Sequence, residues 1–320
     1  MAHKKLKLTL STLVILFGVN NYIDSSVESN NTKTSGKYFN WEHGKIFYKV
    51  SGEGMPVLLI HDLNVFSSES EWTKLSAELS KRHKTYTIDL LGCGRSDKPA
   101  LTYTNYLYVQ LITDFIKKVI KEAPLVVASG FSSTFVLKAD AMDDQLMDSI
   151  YMINPPSLQS LKKNPNKYSK FIVQFFSLPV IGKTCYYLAT SKTNAEYYLS
   201  EKCFFNPFQL KDSTVTAAYM AAHQDKGNGK HLYACLKANY LNVNITNIHK
   251  DSPSKKVLIL GEEESDAKEI AMAYRNIYKN LSIRTIKATK KLPHLEAPEK
   301  IAGILNEDET AANNSSAPDR

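Results

Sequence analysis

Ala123-Pro-Leu-Val-Val-Ala-Ser-Gly-Phe-Ser-Ser-Thr-Phe-Val136 has the form of a short buried strand that turns sharply into a helix. An apolar run of strand length ends in Gly130-Phe131-Ser132, and a helix-compatible run follows. A strand that turns this sharply into a helix lifts the side chain at the turn to the top of a sheet, and the neighbouring backbone demands small residues on either side. In this reading Ser132 is the exposed hydroxyl and a candidate nucleophile, with Gly130 two residues before it and Thr134 two after.

Two upstream stretches have the same strand-then-turn form. Val57-Leu-Leu-Ile-His-Asp-Leu-Asn64 is an apolar run ending in a polar turn. Tyr86-Thr-Ile-Asp-Leu-Leu-Gly-Cys-Gly-Arg-Ser-Asp-Lys-Pro99 is a strand followed by a glycine turn with charged residues. Periodicity along the rest of the chain predicts strands near 45–50, 56–61, 84–88, 124–128, 149–153, 255–260 and 282–287. Helices are expected at 70–81, 104–121, 133–142, 266–279 and 296–305. Alternating strands and helices imply a mostly parallel central sheet flanked by helices on both faces. The interval 155–250 breaks the rhythm: it is rich in Leu, Phe, Tyr and Lys at helical spacing and has no obvious buried strand.

In order and spacing these stretches resemble the α/β-hydrolase family, whose members carry His-Gly-x, then Asp-x-x-Gly-x-Gly-x-Ser-Asp, then Gly-x-Ser-x-Gly. The likeness extends to Val257-Leu-Ile-Leu-Gly-Glu-Glu-Glu264 and Leu292-Pro-His-Leu-Glu-Ala-Pro-Glu299, and so covers about Tyr38 to Ile304. It implies an α/β-hydrolase fold in which 37–154 and 251–305 form the core and 155–250 a helical cap insertion. Aromatics between Phe171 and Phe205 would then line part of the pocket. It also implies a serine-nucleophile hydrolase of an uncharged ester, thioester or similar hydrophobic acyl substrate, with no metal and no organic cofactor. Ser132, in place of an aspartate, speaks against a dehalogenase or an epoxide hydrolase.

By the same resemblance, the oxyanion donors are the N–H groups of Leu63 and Ser133, His61 supports the oxyanion loop, and Glu264 is the acid, with Asp266 as the fallback. Asp62 stands where the family has glycine, and a carboxylate there would either oppose an oxyanion or point away and anchor the turn. Aligning Pro293, Glu296, Pro298 and Glu299 with the family's last turn puts Lys290 and Lys291 at its Gly-His pair, so Lys291 replaces the expected histidine. Three readings stay open: His294 serves as base with Ser132 and Glu264, Lys291 serves as a neutral amine, or the chain is a pseudoenzyme that has lost its base. In the third case the same pocket holds a hydrophobic ligand or partner at the membrane.

Outside the core, basic residues at 3–7 precede the apolar stretch Leu8 to Val19. From Leu6 to Ile23 a helix would measure roughly 27 Å, close to a bilayer core, so 1–23 is expected to be a signal-anchor or membrane helix. Polar residues 24–36 read as a flexible linker, and 306–320 as a disordered tail. The net charge of +8 is scattered along the chain without interleaved aromatics, which suits an anionic membrane surface better than nucleic acid. Cysteines 93, 185, 203 and 235 show no metal-ligand spacing.

Overall fold

The computed structural model describes residues 2–29, 35–246, 248 and 252–315. Its centre is an 8-stranded sheet built from β1 (Lys37–Trp41), β2 (Gly44–Ser51), β3 (Pro56–Ile60), β4 (Lys84–Ile88), β5 (Leu125–Ser129), β6 (Ser149–Ile153), β7 (Lys255–Gly261) and β8 (Ser282–Ile286). The spatial order is β1-β2-β4-β3-β5-β6-β7-β8. β1 and β2 form an antiparallel hairpin, β2 runs antiparallel to β4, and every other pairing is parallel.

Every residue of β3, β5 and β6 is buried, as expected for strands covered on both faces. Side chains alternate between two apolar layers. Leu58, Ile60, Val126, Ala128, Ile150 and Met152 face one layer. Val57, Leu59, Val127, Tyr151 and Ile153 face the other. The first layer packs on α3 (Asn105–Phe115), α4 (Ser132–Met142) and α11 (Ala267–Ile277). The second packs on α2 (Thr73–Leu79) and α13 (Pro298–Ser315), the latter preceded by the short α12 (Pro293–Glu296).

After β3 the chain crosses to β4 on one side, and later returns to lay β5 on the other side of β3. Such a reversal opens a crevice at the carboxyl ends of the two strands, the usual ligand position in open α/β sheets. Asp62 and Gly130 stand just beyond those two ends.

Between β6 and β7 the chain forms α5 (Leu158–Leu161), α6 (Lys167–Ser177), α7 (Ile181–Ala189), α8 (Lys192–Tyr197), α9 (Asp212–His223) and α10 (Lys230–Lys237). Asn166 and Ser169 close a capping box that starts α6. This helical insert meets the core loops through Phe66 stacked on Tyr198 and through the Phe205 N–H donated to Glu296 at 2.7 Å.

The strand and helix positions follow the sequence reading with four differences. β1 was not anticipated; its residues are mostly exposed, and it is held by pairing with β2 instead of by burial. The helix expected over 104–121 ends at Phe115 and continues as a π-turn over 116–120, closed by Lys121 in the left-handed region. Helix α1 (Ala2–Ser29) runs into the expected linker because Asn20 and Asp24 dock it on α7, while residues 30–34 lie outside the described residues. Nor is the tail irregular from 306: α13 continues to Ser315. Asp308 anchors it by accepting from the Tyr151 hydroxyl at 3.1 Å and pairing with Lys255 at 3.1 Å. Residues 316–320 lie outside the described residues.

Among the described residues no single helix is long and apolar enough to cross a membrane.

Candidate functional site

β5 ends at Ser129, and the next residue makes the sharp turn. Gly130 has φ +54°, in the left-handed region where glycine alone carries no Cβ penalty. Phe131 is already helical, and α4 starts at Ser132. The apex of the strand–helix turn is therefore Gly130, two residues before the expected position.

Ser132 does not reach the site. Its side chain is fully buried in the first turn of α4, where its hydroxyl donates to the His61 carbonyl at 2.6 Å. The Ser133 N–H donates to the Gly130 carbonyl at 3.2 Å as part of the same helical turn, so it is not an oxyanion donor. The N–H that follows the apex belongs to Phe131, and it donates to Asp62 Oδ1 at 2.7 Å. Asp62 thus points into the site. A Cβ built on Gly130 would lie 2.2 Å from Asp62 Oδ1, so the carboxylate fills the space that a side chain at 130 would need.

Upstream, the Asp62 turn is held by His61. Leu90 N–H donates to His61 Nε2 at 3.0 Å, which leaves Nδ1 to donate to the Asp62 carbonyl at 2.7 Å. Leu63 follows, buried, at the start of the next turn. The Asp89–Pro99 stretch is architectural. Asp89 is fully buried and accepts from the N–H groups of Glu69 at 2.6 Å and Arg95 at 2.8 Å, with its carboxyl pushed up by burial. Lys98 is buried too and donates to the Gly94 carbonyl.

Opposite Asp62 stands Lys291, whose Nζ lies 3.4 Å from Asp62 Oδ2 and 3.2 Å from the Tyr198 hydroxyl of the insert. The Tyr198 hydroxyl first, and the Asp62 carboxylate after it, raise the lysine well above its usual range and outweigh the burial that acts the other way. Lys291 is therefore an ammonium at neutral pH, unable to accept a proton. Its loop is fixed by Asn154, whose Nδ2 donates to the carbonyls of Lys290 at 2.8 Å and Lys291 at 3.0 Å, and whose Oδ1 accepts from Gly261 N–H at 3.1 Å.

Glu264 shares the cavity with this pair. Burial pushes its carboxyl up, while the Lys291 and Lys290 charges act in the opposite direction. Asp266 lines the same cavity and caps no helix with its side chain. The cavity measures about 240 Å³ and has Asp62, Gly130, Phe131, Asn154, Glu264 and Lys291 in its wall. Ser132 and His294 do not line it, nor does any aromatic between Phe171 and Phe205. Those aromatics serve mostly as packing or as surface: Tyr186 and Tyr187 are buried in the insert, whereas Phe171 and Tyr197 are exposed.

His294 is out of position as a base. It lies fully buried at the start of α12, stacked on Trp72 with ring centroids 4.3 Å apart, with Nε2 3.5 Å from Glu71 Oε2. The structure assembles Glu264, Asp62 and Lys291 around Gly130, and it leaves Ser132, Ser133 and His294 in packing roles. Gly130, Phe131 and Asn154 were missed in the sequence as site residues, whereas Tyr198 is one of the aromatics expected at the pocket and meets the site through Lys291 Nζ at 3.2 Å without lining the cavity. For Gly130 the signal was present: a glycine directly after the last strand residue is the natural occupant of a left-handed apex.

Comparisons agree with this architecture. The model of the alpha/beta hydrolase family matches residues 57–303. Over 113 residues the chain is 25% identical to the 2-hydroxy-6-oxo-6-(2'-aminophenyl)hexa-2,4-dienoic acid hydrolase of Metapseudomonas resinovorans, covering 35% of this chain and 39% of that protein. The chain thus spans well under half of that curated relative's length. Among solved structures it is similar to a serine hydrolase involved in carbazole degradation, with TM-score 0.71 and 15% identity over 87% of this chain and 99% of the other. It is also similar to the meta-cleavage product hydrolase of Pseudomonas fluorescens IP01, solved as a mutant in complex with acetates. There the TM-score is 0.69 and the identity 15%, over 87% and 98% of the two chains.

Proposed function

The chain belongs to the α/β-hydrolase family, and from that premise we propose that it is a non-hydrolytic member that binds a small ligand in the family's cavity. The observation that carries this reading is the apex itself: Gly130 has no side chain to attack an acyl carbon, and the Asp62 carboxylate occupies the vacated space. Acyl transfer needs a nucleophile, a group that accepts its proton, and backbone donors aimed at the developing oxyanion. At this site the donor that follows the apex, Phe131 N–H, is already taken by Asp62. An oxyanion placed there would face a carboxylate. The position aligned with the catalytic histidine holds Lys291, whose ammonium pairs with Asp62.

The cavity chemistry supports a ligand with hydrogen-bond donors at one end and an apolar body. Asp62, Glu264 and Asp266 supply acceptors, and Phe131, Pro155, Pro156 and Ile270 supply an apolar wall. At about 240 Å³ the space suits a molecule smaller than a typical drug-sized ligand. The apolar residues of α1 between Leu13 and Val19 support the further reading that this helix holds the protein at a membrane.

Intact-mass detection of a fluorophosphonate adduct tests the reading. The wild-type chain is expected to stay unlabelled, as is Ser132→Ala. The triple variant Asp62→Gly, Gly130→Ser, Lys291→His, which rebuilds a nucleophile, a base and a free donor, is expected to acquire one adduct. Rapid labelling of the wild type that disappears in Ser132→Ala would restore the hydrolase reading.

A further inference from the structure

The helical insert carries an apolar tip that the cavity does not use. α6 and α7 together have the length and composition of a membrane span, but the chain bends by 99° between them. They therefore form a wedge instead of a crossing. Leu178, Pro179 and Ile181 are exposed at the bend, and Phe171 is exposed further back on α6. Phe171 and Phe175 fall on one face of α6 at i, i+4 spacing, and Leu178 is the capping residue at which the helix ends.

α1 emerges beside this tip. Asn20 is buried against α7, with Nδ2 donating to the Val180 carbonyl at 3.2 Å and lying 3.1 Å from Thr184 Oγ1. One turn later Asp24 pairs with Lys183 at 2.6 Å and accepts from the Tyr187 hydroxyl. Residue numbers rise together along both helices, so α1 and α7 run in the same direction. The part of α1 that precedes Asn20 must then extend past the amino-terminal end of α7, which is where the bend lies. Val14, Ile15 and Phe17 on that part each expose more than half of their surface. Lysines 162, 163, 167 and 170, also exposed, sit towards the far end of α6 from the bend.

We propose that the α6–α7 bend inserts into the interfacial layer of an anionic phospholipid bilayer beside α1, so that the insert touches the membrane at a second point fixed relative to the first. An apolar helical tip flanked by lysines is the chemistry of an interfacial element, buried about 5–10 Å into the headgroup and acyl boundary. Lysines at the far end of α6 then meet the anionic headgroups. The contacts of buried Asn20 and half-buried Asp24 make the two points one rigid platform, which holds the cavity-bearing body at a set orientation to the lipid. This rests on the membrane reading of α1, and the test separates the two.

The full-length chain is floated with vesicles of phosphatidylcholine and phosphatidylglycerol and compared with Leu178→Asp plus Ile181→Asp, and with Val14→Asp plus Phe17→Asp. Circular dichroism serves as the folding control. A third variant, Ile181→Trp, is examined with brominated lipids. The insert pair is expected to lower partitioning at least about tenfold, the factor that 1.4 kcal/mol corresponds to, and the new indole at 181 is expected to be quenched. Unchanged partitioning of the insert pair, or an unquenched indole, overturns the role of the bend even where the α1 pair detaches the protein. A wild-type chain that does not float overturns both membrane readings. Loss of a dimer in the insert pair without loss of flotation assigns the tip to a second copy of the chain, and also overturns the proposal.

Discussion

At position 130 the absence of a side chain is a structural requirement. With φ at +54° and Asp62 Oδ1 only 2.2 Å from where a Cβ would sit, any other residue strains the backbone and displaces the carboxylate. Gly130→Ala is expected to cost about 2 kcal/mol or more in urea unfolding. Adding Asp62→Ala should return part of that loss, because the two residues compete for one space. Additive effects of the two substitutions would show that they do not. The Gly-x-Ser pattern made Ser132 look like the nucleophile, yet the pattern fits two registers. Only the end of β5 at Ser129 selects between them. Asp62 was legible as a departure, and its direction was not, since one sequence position is compatible with a carboxylate turned towards the site or away from it.

Among the elements, the insert helices show how burial and polar contacts hold a segment with no strand of its own. His223, at the end of α9, stacks on Tyr187 at 4.9 Å and packs tilted against Tyr219 at 4.1 Å between centroids, and its Nδ1 donates to the Tyr219 carbonyl at 2.9 Å. Burial pushes its pKa down to about 4 from an ordinary 6.5. A depressed histidine binds its proton more weakly in the folded state, so its contribution is complete above pH 6.5 and is lost as the pH falls towards 4. The loss amounts to about 3 kcal/mol, since each pH step between those two values contributes about 1.4 kcal/mol. His223→Phe is expected to flatten the stability curve between pH 6.5 and 4, read from urea midpoints at each pH; an unaltered slope would place the titration elsewhere. At the opposite boundary of the insert, α1 shows why 24–29 could not be read as structured. Asp24 looks like a linker residue until Lys183 and Tyr187, far along the chain, are beside it.

Over the whole molecule, insert and core meet at the loop that carries Lys291. Lys291 N–H donates to the Cys203 carbonyl at 3.0 Å. Glu296 accepts from Phe205 N–H at 2.7 Å and from Lys290 N–H at 2.8 Å. One carboxylate thus ties the insert to the last turn of the core. Glu296→Ala is expected to cost roughly 2–3 kcal/mol and to speed amide exchange over residues 203–210 and 290–292 while the central strands stay protected. Exchange that speeds equally in β3, β5 and β6 would mean that the tie supports the whole fold and not this junction alone.

The sequence alone outlined seven of the eight strands and their flanking helices, but not the mostly exposed β1. Those depend on hydrophobic periodicity and turn residues, which are local and leave a pattern in neighbouring positions. It also singled out Asp62, Glu264 and Lys291 as positions of chemical interest. What they do together depends on contacts far apart in the chain, because an apex two residues earlier, a carboxylate filling the missing side chain and an ammonium paired with it arise between β3, β5 and the loop after β8. Residues 62, 130 and 291 are brought together by the strand reversal, and no local pattern records a distance across a sheet.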